Sequence, residues 1–233
     1  KSLRTEINNM IAIKDNIAQV ELQISSACQH AHRKPNEVTL LAVSKTKPIN
    51  MLEQAYDAGQ RAFGESYVQE AVEKIIALQS KADISWHFIG PIQANKTNLI
   101  AQHFSWVHSV DRAKIAKRLN EHRSGQDTPL NICLQVNISG EESKSGVLLA
   151  ELPTLLAVIE TCDNLCLRGL MAIPEKNAAQ TSFNQMQNLF IALKKDYPTI
   201  DTLSMGMSAD MQLAINAGST MVRIGSAIFG TRN

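Results

Sequence analysis

Two stretches of this 233-residue chain carry residue types that could do chemistry. The first is "LLAVSKTKP", an apolar, strand-forming run that ends in Ser44 and Lys45. An ammonium at the end of a buried strand must be paired, neutralised or chemically used. In a partly dry mouth its pKa falls, and the neutral amine that results attacks carbonyl carbons. A snorkelling lysine, or an ion pair with Glu65, would explain the same pattern without chemistry. The second is "LSMGMSADM" with "VRIGSAIFG". Ser208 stands where a helix from Ala209 is expected to begin, and Ser226 opens a short helical turn behind Gly225. Helix starts present backbone N–H groups to anions, although ordinary capping and a tight turn fit equally. Arg223, two residues before Gly225 in an apolar strand, is always charged and needs a carboxylate or a polar ligand.

The elements that must position these residues alternate regularly. Short β-rich runs occur at residues 39–45, 61–65, 86–90, 106–111, 131–138, 166–173, 202–207 and 221–225. Helical patterns lie between them at 49–58, 68–79, 95–102, 112–123, 149–161, 178–196 and 209–216. Strands alternating with helices, without hairpin signals, give parallel βα units. Eight of them predict a closed (β/α)₈ TIM barrel. An open doubly wound sheet would place a Gly-rich G-x-G-x-x-G turn after the first strand, and "SKTKP" is unlike one. The whole chain, 1–233, reads as one α/β domain, with an amphipathic helical segment at 1–35 packing on the barrel. In such a barrel the carboxyl ends of the strands converge on one mouth. That mouth would collect Lys45, Glu65, His87, Asp111, Met171, Ser204, Gly206, Ser208, Arg223, Gly225 and Ser226.

Composition removes several function classes. Lys plus Arg number 23 and Asp plus Glu 22, a net charge of +1, so neither a nucleic acid nor a membrane surface is expected as partner. The four cysteines form no C-x-x-C pair, which predicts reduced thiols and a cytoplasmic protein. No apolar run reaches the ~18 residues of a membrane span. Neither a Ser-His-Asp elbow nor a His cluster for a metal is present. Lys47, before Pro48, and Lys144, in the loop 139–146, read as solvated.

One ligand would satisfy a lysine amine, a phosphate cradle and a cationic donor together: pyridoxal 5′-phosphate. At this point whole motifs match. "LLAVSKTKP", "FGESYVQE", "WHFIGPIQANK", "RGLMAIP", "SMGMSADM" and "GSTMVRIGSAIFG" closely resemble the pyridoxal phosphate homeostasis proteins, also called the YggS or PLPBP family. That family is itself similar to the barrel domain of alanine racemase, a fold type III pyridoxal phosphate protein. The resemblance implies that Lys45 carries the cofactor as a Schiff base. It also implies that Ser208, Gly225 and Ser226 hold the phosphate, and that Arg223 faces the pyridine nitrogen. Ser204, Met205, Gly206 and Met207 would line the same wall, and His87, Ile89 and Met171 the neighbouring mouth. The family commonly has Asn after "FGE", where this chain has Ser66, so any polar contact of that side chain is shortened or lost.

Arginine donates a hydrogen bond but gives up no proton, which leaves the ring a weak electron sink. Alanine racemases add a tyrosine from a further domain as second acid/base, and this chain is expected to lack that domain. Tyr56, Tyr67 and Tyr197 fall in or beside helix patterns. A carrier of pyridoxal phosphate that delivers it to apoenzymes, and is not an enzyme, is therefore expected, as a monomer. The alternatives are an amino-acid racemase or other weak pyridoxal phosphate enzyme, and a partner-binding module with a vestigial site.

Overall fold

Strand β1 (Thr39–Val43) shows how the wall is built. Successive side chains of a strand face opposite sides, so Leu41, Val43 and Lys45 share one face while Leu40, Ala42 and Ser44 share the other. In the computed structural model, residues 3–140, 145–174 and 179–231 are described, with side chains from residue 12. Helix α1 (Leu3–His30) precedes β1. Then follow α2 (Ile49–Asp57), β2 (Ala62–Glu65), α3 (Val68–Ala77), β3 (Ser85–Phe88), α4 (Thr97–His103), β4 (Trp106–Val110), α5 (Ala113–Arg123) and β5 (Leu130–Asn137). The chain continues through β6 (Val147–Leu148), α6 (Leu152–Ile159), β7 (Leu165–Met171), α7 (Ala179–Asp196), β8 (Thr202–Ser204), α8 (Met211–Asn216), β9 (Met221–Ile224) and α9 (Ser226–Phe229).

The strand order is β4-β3-β2-β1-β9-β8-β7-β5-β6, and β4 also pairs with β5. That last pairing closes β1 to β5 with β7 to β9 into a parallel eight-stranded barrel, so the expected architecture is present. The short β6 was not anticipated; it hooks onto the end of β5 at Val136 and Asn137. Register in β1 sets Leu41 beside Arg223 of β9, and Val43 beside Gly64 of β2.

One hydrophobic core links wall and helices. The first helix joins it through Ile13, Ile17, Val20 and Ile24, whose three- and four-residue spacing makes a single apolar face. The helix packs on α2, α8 and α9. Asn16 Nδ2 donates to Ile228 O of α9, and Arg33 Nη1, just past the helix, to Ile215 O of α8 and to Ser219 O, tying this segment to the last helices. Among the described residues no helix is long and apolar enough to cross a membrane. The cysteines are free thiols; Cys28, Cys133 and Cys162 are buried.

Candidate cofactor site at the barrel mouth

The ladder of β1 runs one bond past the strand, Ser44 N donating to Gly64 O at 3.0 Å. Alternation then turns Lys45 inward with Val43. Both line a cavity of about 440 Å³, together with Lys47, Ser66, Ile89, Ile173, Met207, Ser208, Arg223, Gly225 and Ser226. Among the described residues its walls hold Lys45, Lys47 and Arg223 and no carboxylate, a charge balance suited to an anion. Gly225 closes it against β1: an added Cβ would stand 3.1 Å from Val43 O. The volume lies within the ~300–1,000 Å³ of small-molecule sites. A second cavity of about 480 Å³, lined by Asp111, Arg112, Gln135 and Ser109, shares the Ile89 and Ile173 walls.

Sequence reading placed Ser208 as an N-cap, and the structure corrects this. Helix α8 begins at Met211 with Asp210 in the capping position. Asp210 Oδ1 instead accepts from Met207 N at 2.6 Å, and the turn 207–210 carries Ser208 exposed on the cavity rim. Ser226 does open a helix, α9, and lines the same cavity. Gly206 serves the turn and not the wall: its φ is +100° and a Cβ would meet Ala214 Cβ at 2.6 Å.

Arg223 is buried and, among the described residues, pairs with no carboxylate. Its Nη1 donates to Ser204 O at 2.7 Å and Ser204 Oγ at 2.8 Å, and its Nη2 to Ala172 O at 3.0 Å. A guanidinium has five N–H groups, so Nε–H and one Nη2–H remain for the cavity. Burial lowers its pKa to about 10, which still leaves it a cation at neutral pH.

Ser204, His87 and Met171 are buried and do not line the cavity. Met205 joins the hydrophobic core. Ser204 and His87 belong instead to a hydrogen-bonded column inside the barrel. Ser85 Oγ lies 3.0 Å from His87 Nε2, His87 Nδ1 2.9 Å from His108 Nε2, and His108 Nδ1 2.8 Å from Ser204 Oγ. Arg223 only donates to Ser204 Oγ, so the buried Ser204 proton finds an acceptor at His108 Nδ1. That fixes both imidazoles as neutral Nε2–H tautomers, each donating away from Arg223. Burial agrees, lowering the His87 pKa to about 3 and that of His108 well below its usual value. His87 stacks on Trp106, with ring centroids 5.2 Å apart. Sequence reading missed His108; its place in "WVHSV", two residues after an inward Trp106, was the available signal.

Glu65, expected at the mouth, faces outward. Its Oε1 accepts from Ser44 Oγ at 2.6 Å and Lys74 Nζ at 2.8 Å, all three side chains being buried. Lys47 Nζ reaches Gly230 O and Thr231 O at 2.9 Å each, so it is engaged and not merely solvated. Lys144 lies outside the described residues.

The alanine racemase N-terminal domain family matches residues 12–233. The pyridoxal phosphate homeostasis protein of Haemophilus influenzae is 55% identical over 228 residues, covering 95% of this chain and 96% of that one. That of Escherichia coli K12 is 53% identical over 227 residues, covering 95% and 97%. The chain belongs to the pyridoxal phosphate homeostasis protein family. Relatives in this family are named as homeostasis proteins, not as enzymes. Among solved structures, PipY of Synechococcus elongatus with pyridoxal phosphate bound is 34% identical with a TM-score of 0.82, covering 94% of this chain and 100% of that one. Alanine racemase of Corynebacterium glutamicum shares the fold alone, at 15% identity and a TM-score of 0.68 over 96% of this chain and 62% of that one.

Proposed function

We propose that this protein holds pyridoxal 5′-phosphate in the Lys45 cavity as a Schiff base, keeps the free aldehyde scarce in the cytoplasm, and passes it to apoenzymes. The observation that carries the reading is one cavity wall that brings together an inward lysine amine and a buried guanidinium with spare N–H groups. The family and the ligand named for the Synechococcus relative support it.

The bound group would supply an electrophilic carbon and a conjugated ring. The chain's own residues then divide the work. Lys45 Nζ is the nucleophile for the aldehyde carbon. Lys47, Ser208, Ser226 and the first N–H groups of α9, which lack intrahelical acceptors, face the phosphate. Arg223 would donate to the ring nitrogen and, being a cation that keeps its proton, would not protonate it, which disfavours carbanion chemistry.

Racemisation would need a second acid/base beside Lys45. None of the three tyrosines lines the cavity: Tyr56 donates to Asp83, Tyr197 to Glu160, and Tyr67 lies exposed. The Tyr197 pKa is pushed up to about 12 by that bond to Glu160, the opposite of what a proton shuttle requires. A carrier accords with this arrangement better than a catalyst. The test is borohydride reduction of protein mixed with the vitamer, followed by peptide mapping. The label should fall on Lys45 and vanish in Lys45→Ala. A label mainly on Lys47 overturns the site, and steady amino-acid turnover abolished by Lys45→Ala overturns the carrier reading.

A further inference from the structure

A charged network outside the barrel grips the chain on both sides of Lys45. Beyond Val43 the strand is over, and from Lys45 onward no ladder holds the backbone. Lys74, on α3, reaches across instead: its Nζ donates to Ser44 O at 2.8 Å, Glu65 Oε1 at 2.8 Å and Glu70 Oε1 at 2.5 Å. Glu70 Oε1 accepts the backbone N–H of Thr46 at 2.6 Å. The peptide before Lys45 is thus tied through its carbonyl, and the residue after it through its amide. Thr46 itself has φ +64°, a left-handed conformation that costs a non-glycine residue about 1–2 kcal/mol. Such a conformation persists only where surrounding bonds impose it.

The network makes little sense as a source of stability. Lys74 and Glu65 have side chains 4% and 0% exposed, and Glu65 Oε2 is buried with no hydrogen-bond partner among the described residues. Buried ion pairs of this kind commonly yield to apolar residues at no loss of stability. Burial also raises the Glu65 pKa despite Lys74 and Ser44 beside it, a sign of how unfavourable the site is for charge.

We propose that Lys74, Glu70 and Glu65 are positioning residues: they fix the backbone flanking Lys45 and so set where its amine stands in the cavity. This deepens the reading above and rests on it. Nothing in the network touches the cavity wall itself, apart from the chain of Lys45.

Two variants test it. Glu65→Leu/Lys74→Met removes the buried charges together, so that neither is left unpaired. Glu70→Ala cuts the Thr46 tie from a side chain 31% exposed, where folding is little affected. In both, borohydride-trapped labelling of Lys45 at limiting pyridoxal phosphate should slow by about ten- to hundredfold, the scale of a misplacement of about 1 Å. The ratio of Lys45 to Lys47 label should fall, and the induced circular dichroism of the bound chromophore should shrink. Amide exchange at Thr46 in the vitamer-free protein should quicken. Glu70→Gln, which keeps an acceptor oxygen, should restore most of the labelling. Wild-type labelling rates and dichroism in both variants would overturn the clamp and leave the carrier reading standing. No label on Lys45 in the wild-type protein would instead sink that reading, and the clamp with it.

Discussion

Two of the cations lining the cavity, Arg223 and Lys45, are supported in opposite ways. Arg223 is held by its own side chain, through neutral acceptors inside the barrel: Ser204 O, Ser204 Oγ and Ala172 O. Lys45 is framed by its backbone neighbours, through charged groups outside the wall. The difference matches the two tasks. A donor to a ring nitrogen must keep a fixed direction, whereas an amine that forms and releases a covalent bond must swing while its Cα stays still. The interior column also sets a polar layer among the branched aliphatic side chains usual in such barrels. Polarity is tolerated there because each buried donor has an acceptor, and because both histidines remain neutral.

Breaking the outer support alone should cost most. Lys74→Met leaves Glu65 as a buried, unpaired charge, and urea unfolding should show a loss of about 3–5 kcal/mol. Glu65→Leu added to it should recover most of that loss. If the single variant unfolds like the wild type, the charged network is not buried as described. Next comes Arg223→Met, which strips donors from Ser204 O and Ala172 O; a cost of about 1–3 kcal/mol is expected, with vitamer retention lost. A variant that retains the vitamer at wild-type affinity removes Arg223 from the site.

The column sharpens the contrast through pH. His87 titrates near 6.5 when unfolded and near 3 when folded, so the unfolded chain binds the proton first as pH falls. Stability contributed by neutral His87 is therefore complete above about pH 6.5 and declines steadily towards pH 3, by about 1.4 kcal/mol per unit. His87→Gln should flatten that slope in urea midpoints taken from pH 7 to 4.5; equal slopes would show that the pair titrates normally. The smallest effect is expected from Lys47→Ala. Its bonds to Gly230 O and Thr231 O are near the surface, so melting should barely change while phosphate-dependent affinity drops modestly.

Much of this was legible in the chain alone. Alternation of β-rich and helical runs gave the barrel, with strand boundaries within a few residues. The strand-end lysine at position 45 and the cavity residues Ser208, Gly225 and Ser226 followed from where strands end, and Met207 from the family resemblance. Other assignments slipped for physical reasons. His87 sits one inward step below Ile89, the residue of that strand that reaches the cavity, and only depth along the barrel separates the two. The helix after Ser208 starts late because Asp210 closes a turn with Met207 before the helix can begin.

What the sequence determined by itself was local and periodic: which residues form strands, which face each presents, and that a lysine and an arginine stand at strand ends, because period and propensity act over a few neighbours. Only the tertiary structure decided the partners. Glu65 meets Lys74 across a strand–helix gap, and His108 meets Ser204 across 96 positions of chain, contacts that exist only once the barrel has closed. Burial then fixes their charge states, since desolvation depends on what surrounds a group in space and not on its neighbours in sequence.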